Sequence, residues 1–333
     1  MTKTAETPYF DQNATVAKLM FLAIITISLC SFGMGLFAPI PLAIAFLLYG
    51  RVVTFAVAGI SLALLIAAAK AVQGFPMLTA GMYLSALLYA VLVSEVIFRN
   101  VNPVKGLIVS GLILVVLSAG SLIAFDRMSP TTLKGEISQS VSSVLGQLKK
   151  QKQDSSEVTG EQERAFDDFV SKPEVLTNDI YTSLPWIVFI VCYFGLWISL
   201  YVTLRNSLVW RYKVLYNYGL KDLTHFKVPD FFVYPLIASL VLILGADYGL
   251  PAWSEVVGSN LLYCLGVFYL FQGFGVYNDF LKFLKIGGFI KTLFIAFTFI
   301  LAPKLLAGIG IFDLWFDFRR FFTKTKKDEG DTI

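Results

Sequence analysis

Long apolar runs, each close to the length that crosses a bilayer, recur through this chain and leave it few possible folds. A helix needs about 20 apolar residues to traverse the hydrocarbon core. Lipid offers the backbone no hydrogen-bond partner, so runs of this length can only be helical there. Such runs cover 17–37, 51–70, 77–98, 104–125, 184–204, 231–247, 257–279 and 286–311. A shorter apolar piece, 38–50, lies between Pro39, Pro41 and Arg51, and it either crosses steeply or re-enters. Composition agrees: of 333 residues 56% are apolar and 15% charged, too few charges to clothe a water-soluble surface. A soluble enzyme, a disordered protein and a disulfide-stapled scaffold are excluded. The expected fold is an all-α integral membrane protein, a polytopic bundle of about 8 transmembrane helices with one extramembrane helical hairpin insertion.

The expected organisation is a polar N-terminal tail (1–16), a first transmembrane half (17–125), an insertion (126–183), a second transmembrane half (184–312) and an amphipathic, aromatic and basic C-terminal tail (313–333). No cleavable signal peptide is expected. The insertion holds 7 Lys/Arg and 10 Asp/Glu. Ile137, Val141, Val144, Leu145 and Leu148 recur at helical spacing over 134–152, and a second short helix is expected around Phe166, Phe169 and Val170. This hairpin packs on the outer face or serves as a lid or docking arm. Loop 205–230 carries Arg205, Arg211, Lys213, Lys221 and Lys227, which places it in the cytoplasm and the insertion outside. The basic tail joins the cytoplasmic side if Pro303 breaks the last apolar run.

No P-loop, GxSxG, HExxH or dinucleotide-binding pattern is present. Cys30, Cys192 and Cys264 lie singly in apolar runs, and the one histidine, His225, sits in the basic loop. No catalytic residue, metal site or cofactor is therefore expected. Lys70, Glu95, Arg99, Asp247, Lys291 and Lys304 fall near span ends rather than centres. Glu95 and Arg99 stand one turn apart, positioned to pair.

Uncharged polar groups are more suggestive. Asn260, Tyr263, Tyr269 and Gln272 lie in one span, with Gly273 and Gly275 thinning the helix. They either tie helices together or orient a small ligand. Gly33 and Gly35, in GMGLFAPIP, break a helix near membrane depth, where unwound backbone lines a cavity or makes a tight turn. Ala56, Gly59, Ala63 and Ala67 form a small-residue face, suited to internal packing or to a second subunit. In GIFDLWFDFRRFF (310–322), Asp313, Asp317 and Arg320 are spaced to share one helical face, and Ile311, Trp315, Phe318 and Phe322 another. Together with Arg319 and the lysines that follow, this reads as an interfacial helix that anchors on lipid or meets a partner.

The C-terminal GIFDLWFDFRR, Asn260 ahead of YLFQG (269–273), GFPMLTAG (74–81) and RNSLVWRYKVL after Leu204 together resemble the YybS-like predicted membrane proteins of bacteria, a domain-of-unknown-function family (DUF2232). The resemblance covers about 17–320. It implies an inner (cytoplasmic) membrane location, multi-pass, and distant kinship to the S components of energy-coupling-factor transporters and to the rod-shape protein MreD. That kinship implies no enzyme activity, and an AxxxA docking motif that Ala63, Ala67 and Ala71 match in spacing. Two functions are expected on this basis: a non-enzymatic small-molecule binding or transport subunit, or a structural or assembly factor of the cell envelope. The expected partners are the lipid bilayer, other membrane subunits or envelope proteins and an unknown small molecule, with no nucleic acid.

Overall fold

The computed structural model describes residues 12–71, 77–154 and 172–322, and every regular element among them is helical. The α-helices are α1 (Gln12–Ser31), α2 (Pro39–Tyr49), α3 (Arg51–Ala71), α4 (Met77–Phe98), α5 (Pro103–Met128), α6 (Leu133–Asp154), α7 (Pro173–Arg205), α8 (Leu220–Thr224), α9 (Val233–Asp247), α10 (Trp253–Phe283), α11 (Gly288–Leu301) and α12 (Pro303–Phe316). Six segments are long and apolar enough to cross a membrane: α3, α4, α5, α7, Asp230–Asp247 and α10. A seventh arises only if α11 and α12, bent by 98° at their junction, count as one span. The expected count was eight. Run 17–37 differs because α1 stops at Ser31, and run 286–311 because Pro303, which cannot donate to the ladder, starts a new helix after Ala302.

α7 begins at Pro173, so residues 173–183 belong to the long helix that continues through 184–204. α6 forms as its apolar spacing predicts, with Thr132 at its start: the Thr132 hydroxyl accepts from the Gly135 N–H at 3.2 Å. The second expected helix, around Phe166, lies outside the described residues, as do residues 74–76 of GFPMLTAG.

The fold divides into two compact units, one of the described residues up to Gly111 with Tyr193–Phe226, the other of Leu112–Cys192 with those from Lys227 on. In the first unit the 11-residue α2 is the buried centre, with Leu42, Ala43, Ala45, Phe46 and Leu47 sealed against α1 and α4. Gly50, at φ +83°, turns the chain in one residue from α2 into α3. The Glu95 carboxylate accepts from Arg51 at 2.7 Å and from Arg99 at 2.8 Å, so the expected pair is a three-residue cluster. Loop 206–219 folds back onto this end. The fully buried Trp210 donates its indole N–H to the Thr203 carbonyl at 3.0 Å, and the Tyr216 hydroxyl donates to the Val101 carbonyl at 2.9 Å. Burial pushes the Tyr216 phenol pKa up, so it remains a protonated donor.

In the second unit α10 is the axis. Its 31 residues span about 46 Å at 1.5 Å per residue, and glycines let two neighbours approach it closely. A methyl group on Gly258 would lie 2.8 Å from the Ser239 carbonyl oxygen of α9. Where α12 crosses, a methyl group on Gly273 would overlap the Leu306 carbonyl oxygen and one on Gly310 the Tyr269 carbonyl oxygen. The backbones therefore touch with no side chain between them, which maximises van der Waals contact where lipid supplies no hydrophobic drive. We expect Gly310→Ala or Gly273→Ala to cost about 3 kcal/mol, since backbone rather than a flexible side chain must move. Gly59→Ala on α3, where an added methyl meets nothing within 4 Å, should change stability by less than about 0.5 kcal/mol or raise it slightly. Thermal unfolding of the detergent-solubilised variants measures the contrast.

Candidate functional site

The polar side chains in the second unit converge on Gln272, which is fully buried on α10. Its amide oxygen accepts from the Val228 N–H at 2.8 Å, and its amide nitrogen donates to Asp313 Oδ2 at 2.8 Å. The other carboxylate oxygen of Asp313 accepts from the Phe318 N–H at 2.9 Å. Arg319 completes the node by donating to the Gln272 backbone carbonyl at 3.2 Å. A loop, the middle of α10 and the end of α12 are thus joined through one amide. Gly273 and Gly310 bring the helices close enough for a side chain as short as Asp313 to reach.

The expected helix over 310–322 is not continuous. α12 ends at Phe316 and Asp317 takes a left-handed conformation at φ +44° before the chain resumes a helical course over 318–322. The break overturns the shared Asp313, Asp317 and Arg320 face: Asp313 is buried under Gln272, whereas Asp317 and Arg320 are exposed. Phe312, Trp315, Phe316 and Phe321 are all exposed. Phe322 turns back onto Phe280 and Phe283, with ring centroids 5.7 and 5.6 Å apart.

Asn260 serves a different backbone need. Pro185, which has no N–H to donate, lies inside the continuous α7, and the Asn260 side chain bonds two backbone groups of the adjoining turn, the Trp186 N–H and the Thr182 carbonyl. Its oxygen accepts from Trp186 N at 3.1 Å and its nitrogen donates to the Thr182 carbonyl at 3.0 Å. Tyr263, one turn on, packs its ring against Trp186 at 4.7 Å. Tyr269 is sealed beside the Gly310 crossing. Gly33 and Gly35 belong to the first unit. Gly33, at φ +74°, shapes a turn over 32–38 in which the Phe32, Gly33 and Met34 N–H groups bond carbonyls at the end of α1 and those of Phe37 and Ala38 bond Met34 and Gly35, and a methyl group on Gly35 would lie 2.8 Å from Met82 Cε.

Sequence reading missed two features. An open cleft of about 320 Å³ is lined by Thr132, Lys134, Gly135, Ser138, Glu174 and Thr177, where the first turns of α6 and α7 meet. Its only sequence signal is the Thr132–Gly135 cap spacing. The second is the outward direction of the small-residue face on α3, where Ala56, Gly59, Ala63, Ala67 and Ala71 are all exposed. Among the described residues no group of three His, Cys, Asp or Glu is placed to hold a metal.

We expect Asn260→Ala, which removes both side-chain bonds to the part-buried backbone at Trp186 and Thr182, to destabilise by about 1–2 kcal/mol. Gln272→Leu should cost about as much. Tyr263→Phe, which removes no hydrogen bond described above, should stay within about 0.5 kcal/mol. Equilibrium unfolding in mixed micelles compares the three.

The chain belongs to the family of predicted membrane proteins DUF2232, which matches residues 15–314. It is a multi-pass membrane protein. Comparison with curated proteins gives no match, and comparison with solved structures gives none either.

Proposed function

We propose that this chain is a non-enzymatic subunit of a membrane assembly, seated in the bacterial inner membrane with its Lys/Arg-rich loops in the cytoplasm, and that α3 is the helix by which it meets a second membrane protein. One observation supports this above the rest. The close glycines of α9–α12 are spent on crossings inside the chain, whereas the five small residues of α3 face outward. Helices associate in lipid through small residues that admit a neighbouring backbone, and this face is ready for one. The amides of Gln272 and Asn260 are already engaged by the chain's own backbone and by Asp313, which favours docking over a ligand pocket at those residues. The AxxxA spacing of Ala63, Ala67 and Ala71 suits either an S-component-like transport subunit or an envelope assembly factor.

Binding of a small molecule is a second reading, supported by the hydroxyl-rich cleft between α6 and α7. Native mass spectrometry of the purified protein separates the two: a stoichiometric non-lipid species lost in Lys134→Ala favours the cleft.

For the docking role, Ala63→Leu and Ala67→Leu should reduce recovery of the membrane partner about tenfold in cross-linked co-purification while leaving thermal stability unchanged. Leu84→Phe, exposed on α4, should leave recovery intact. Equal recovery in all three variants would sink the proposal.

A further inference from the structure

We infer that the loop 206–215 is an interfacial anchor that seats its exposed leucines in the protein's own bilayer leaflet and selects anionic phospholipid headgroups. The loop does not project from the first unit. Trp210 is tied to the Thr203 carbonyl, in the last turn of α7, and Tyr216 to the Val101 carbonyl in the turn between α4 and α5. Asn217 adds a third tie, its N–H donating to Asn100 Oδ1 at 3.0 Å. These contacts hold the loop level with the ends of three helices, the depth at which headgroups lie.

At that depth Leu208 is 92% exposed, Leu215 85% and Tyr212 73%. These apolar side chains stand outward while Trp210 between them is sealed. Lipid at the headgroup–acyl boundary is the occupant that fits, because Tyr favours that zone and leucine the acyl edge beneath it. Charge selects among lipids. Residues 205–222 hold Arg205, Arg211, Lys213 and Lys221 against a single carboxylate, Asp222, which accepts from the Gly219 N–H at 2.7 Å. Arg211 also fixes the loop's shape by donating to the Tyr216 and Tyr218 carbonyls at 3.0 and 2.8 Å, so its place in the headgroup layer is set by the fold. A juxtamembrane basic cluster of this kind draws anionic lipid.

The test uses the full chain in nanodiscs of phosphatidylcholine with or without phosphatidylglycerol. Nitroxides are placed by Leu208→Cys and Leu215→Cys in a Cys30→Ala, Cys192→Ala, Cys264→Ala background. Both labels should be more accessible to oxygen than to a water-soluble nickel complex, giving a depth at or just below the phosphates. Lys213→Gln and Lys221→Gln should each lower the ratio of phosphatidylglycerol to phosphatidylcholine retained in native mass spectra by about fivefold at low salt, the factor expected of about 1 kcal/mol per basic residue. Free access of the nickel complex to both labels, as for a loop awaiting a protein partner, overturns the anchor. Lipid-buried labels with an unchanged lipid ratio overturn the headgroup selection.

Discussion

In hydrocarbon, a backbone N–H or C=O has no partner except the protein itself, and the irregular parts of this molecule are arranged around that requirement. Pro185 stands inside α7, and an amide from α10 bonds the backbone of the turn beside it. The turn over 32–38 curls its own N–H groups onto nearby carbonyls. Where α12 ends in a left-handed residue, Asp313 lies under the chain and accepts the first N–H beyond the break. Each departure from straight helix comes with its own acceptor or donor, and these fittings are the side chains that a search for chemistry first notices.

A second constraint follows from the solvent. Lipid tails are as apolar as leucine, so burying more leucine gains little and helices associate through shape. Two kinds of small residue result. Gly258, Gly273 and Gly310 admit carbonyl oxygens of neighbouring helices to van der Waals distance, whereas the stripe on α3 leaves the same smoothness facing away from its unit. Having both on one chain separates contacts that build the fold from a surface left over by it.

The membrane helices were legible because an uncharged apolar run leaves the backbone one option. Their ends were less so: α7 takes in the polar residues from 173 that hydropathy assigned to a separate insertion, since a helix does not stop where the lipid does. The Glu95–Arg99 pair was legible from spacing alone, but Arg51, 44 positions away from Glu95 in sequence, was not. The face containing Asp313, Asp317 and Arg320 failed for a specific reason. Helical periodicity assumes unbroken phase, and Asp317 resets it. Direction was the least visible property of all: the stripe on α3 was evident, but in lipid the inward and outward faces of a helix are equally greasy, so its pattern could not reveal which way it points.

The node at Gln272 also fixes an order in time. Its acceptor Asp313 lies 41 residues further along the chain, and Phe318 and Arg319 come later still. When α10 has been made, the carboxylate partner of its glutamine has therefore still to follow. The central helix must wait in the bilayer, half bonded through Val228 alone, until the last turn of α12 arrives. The closing stitch of the second unit comes only with the last turn of α12 and the residues just after it, and a nascent chain cut short before them would leave that amide half bonded.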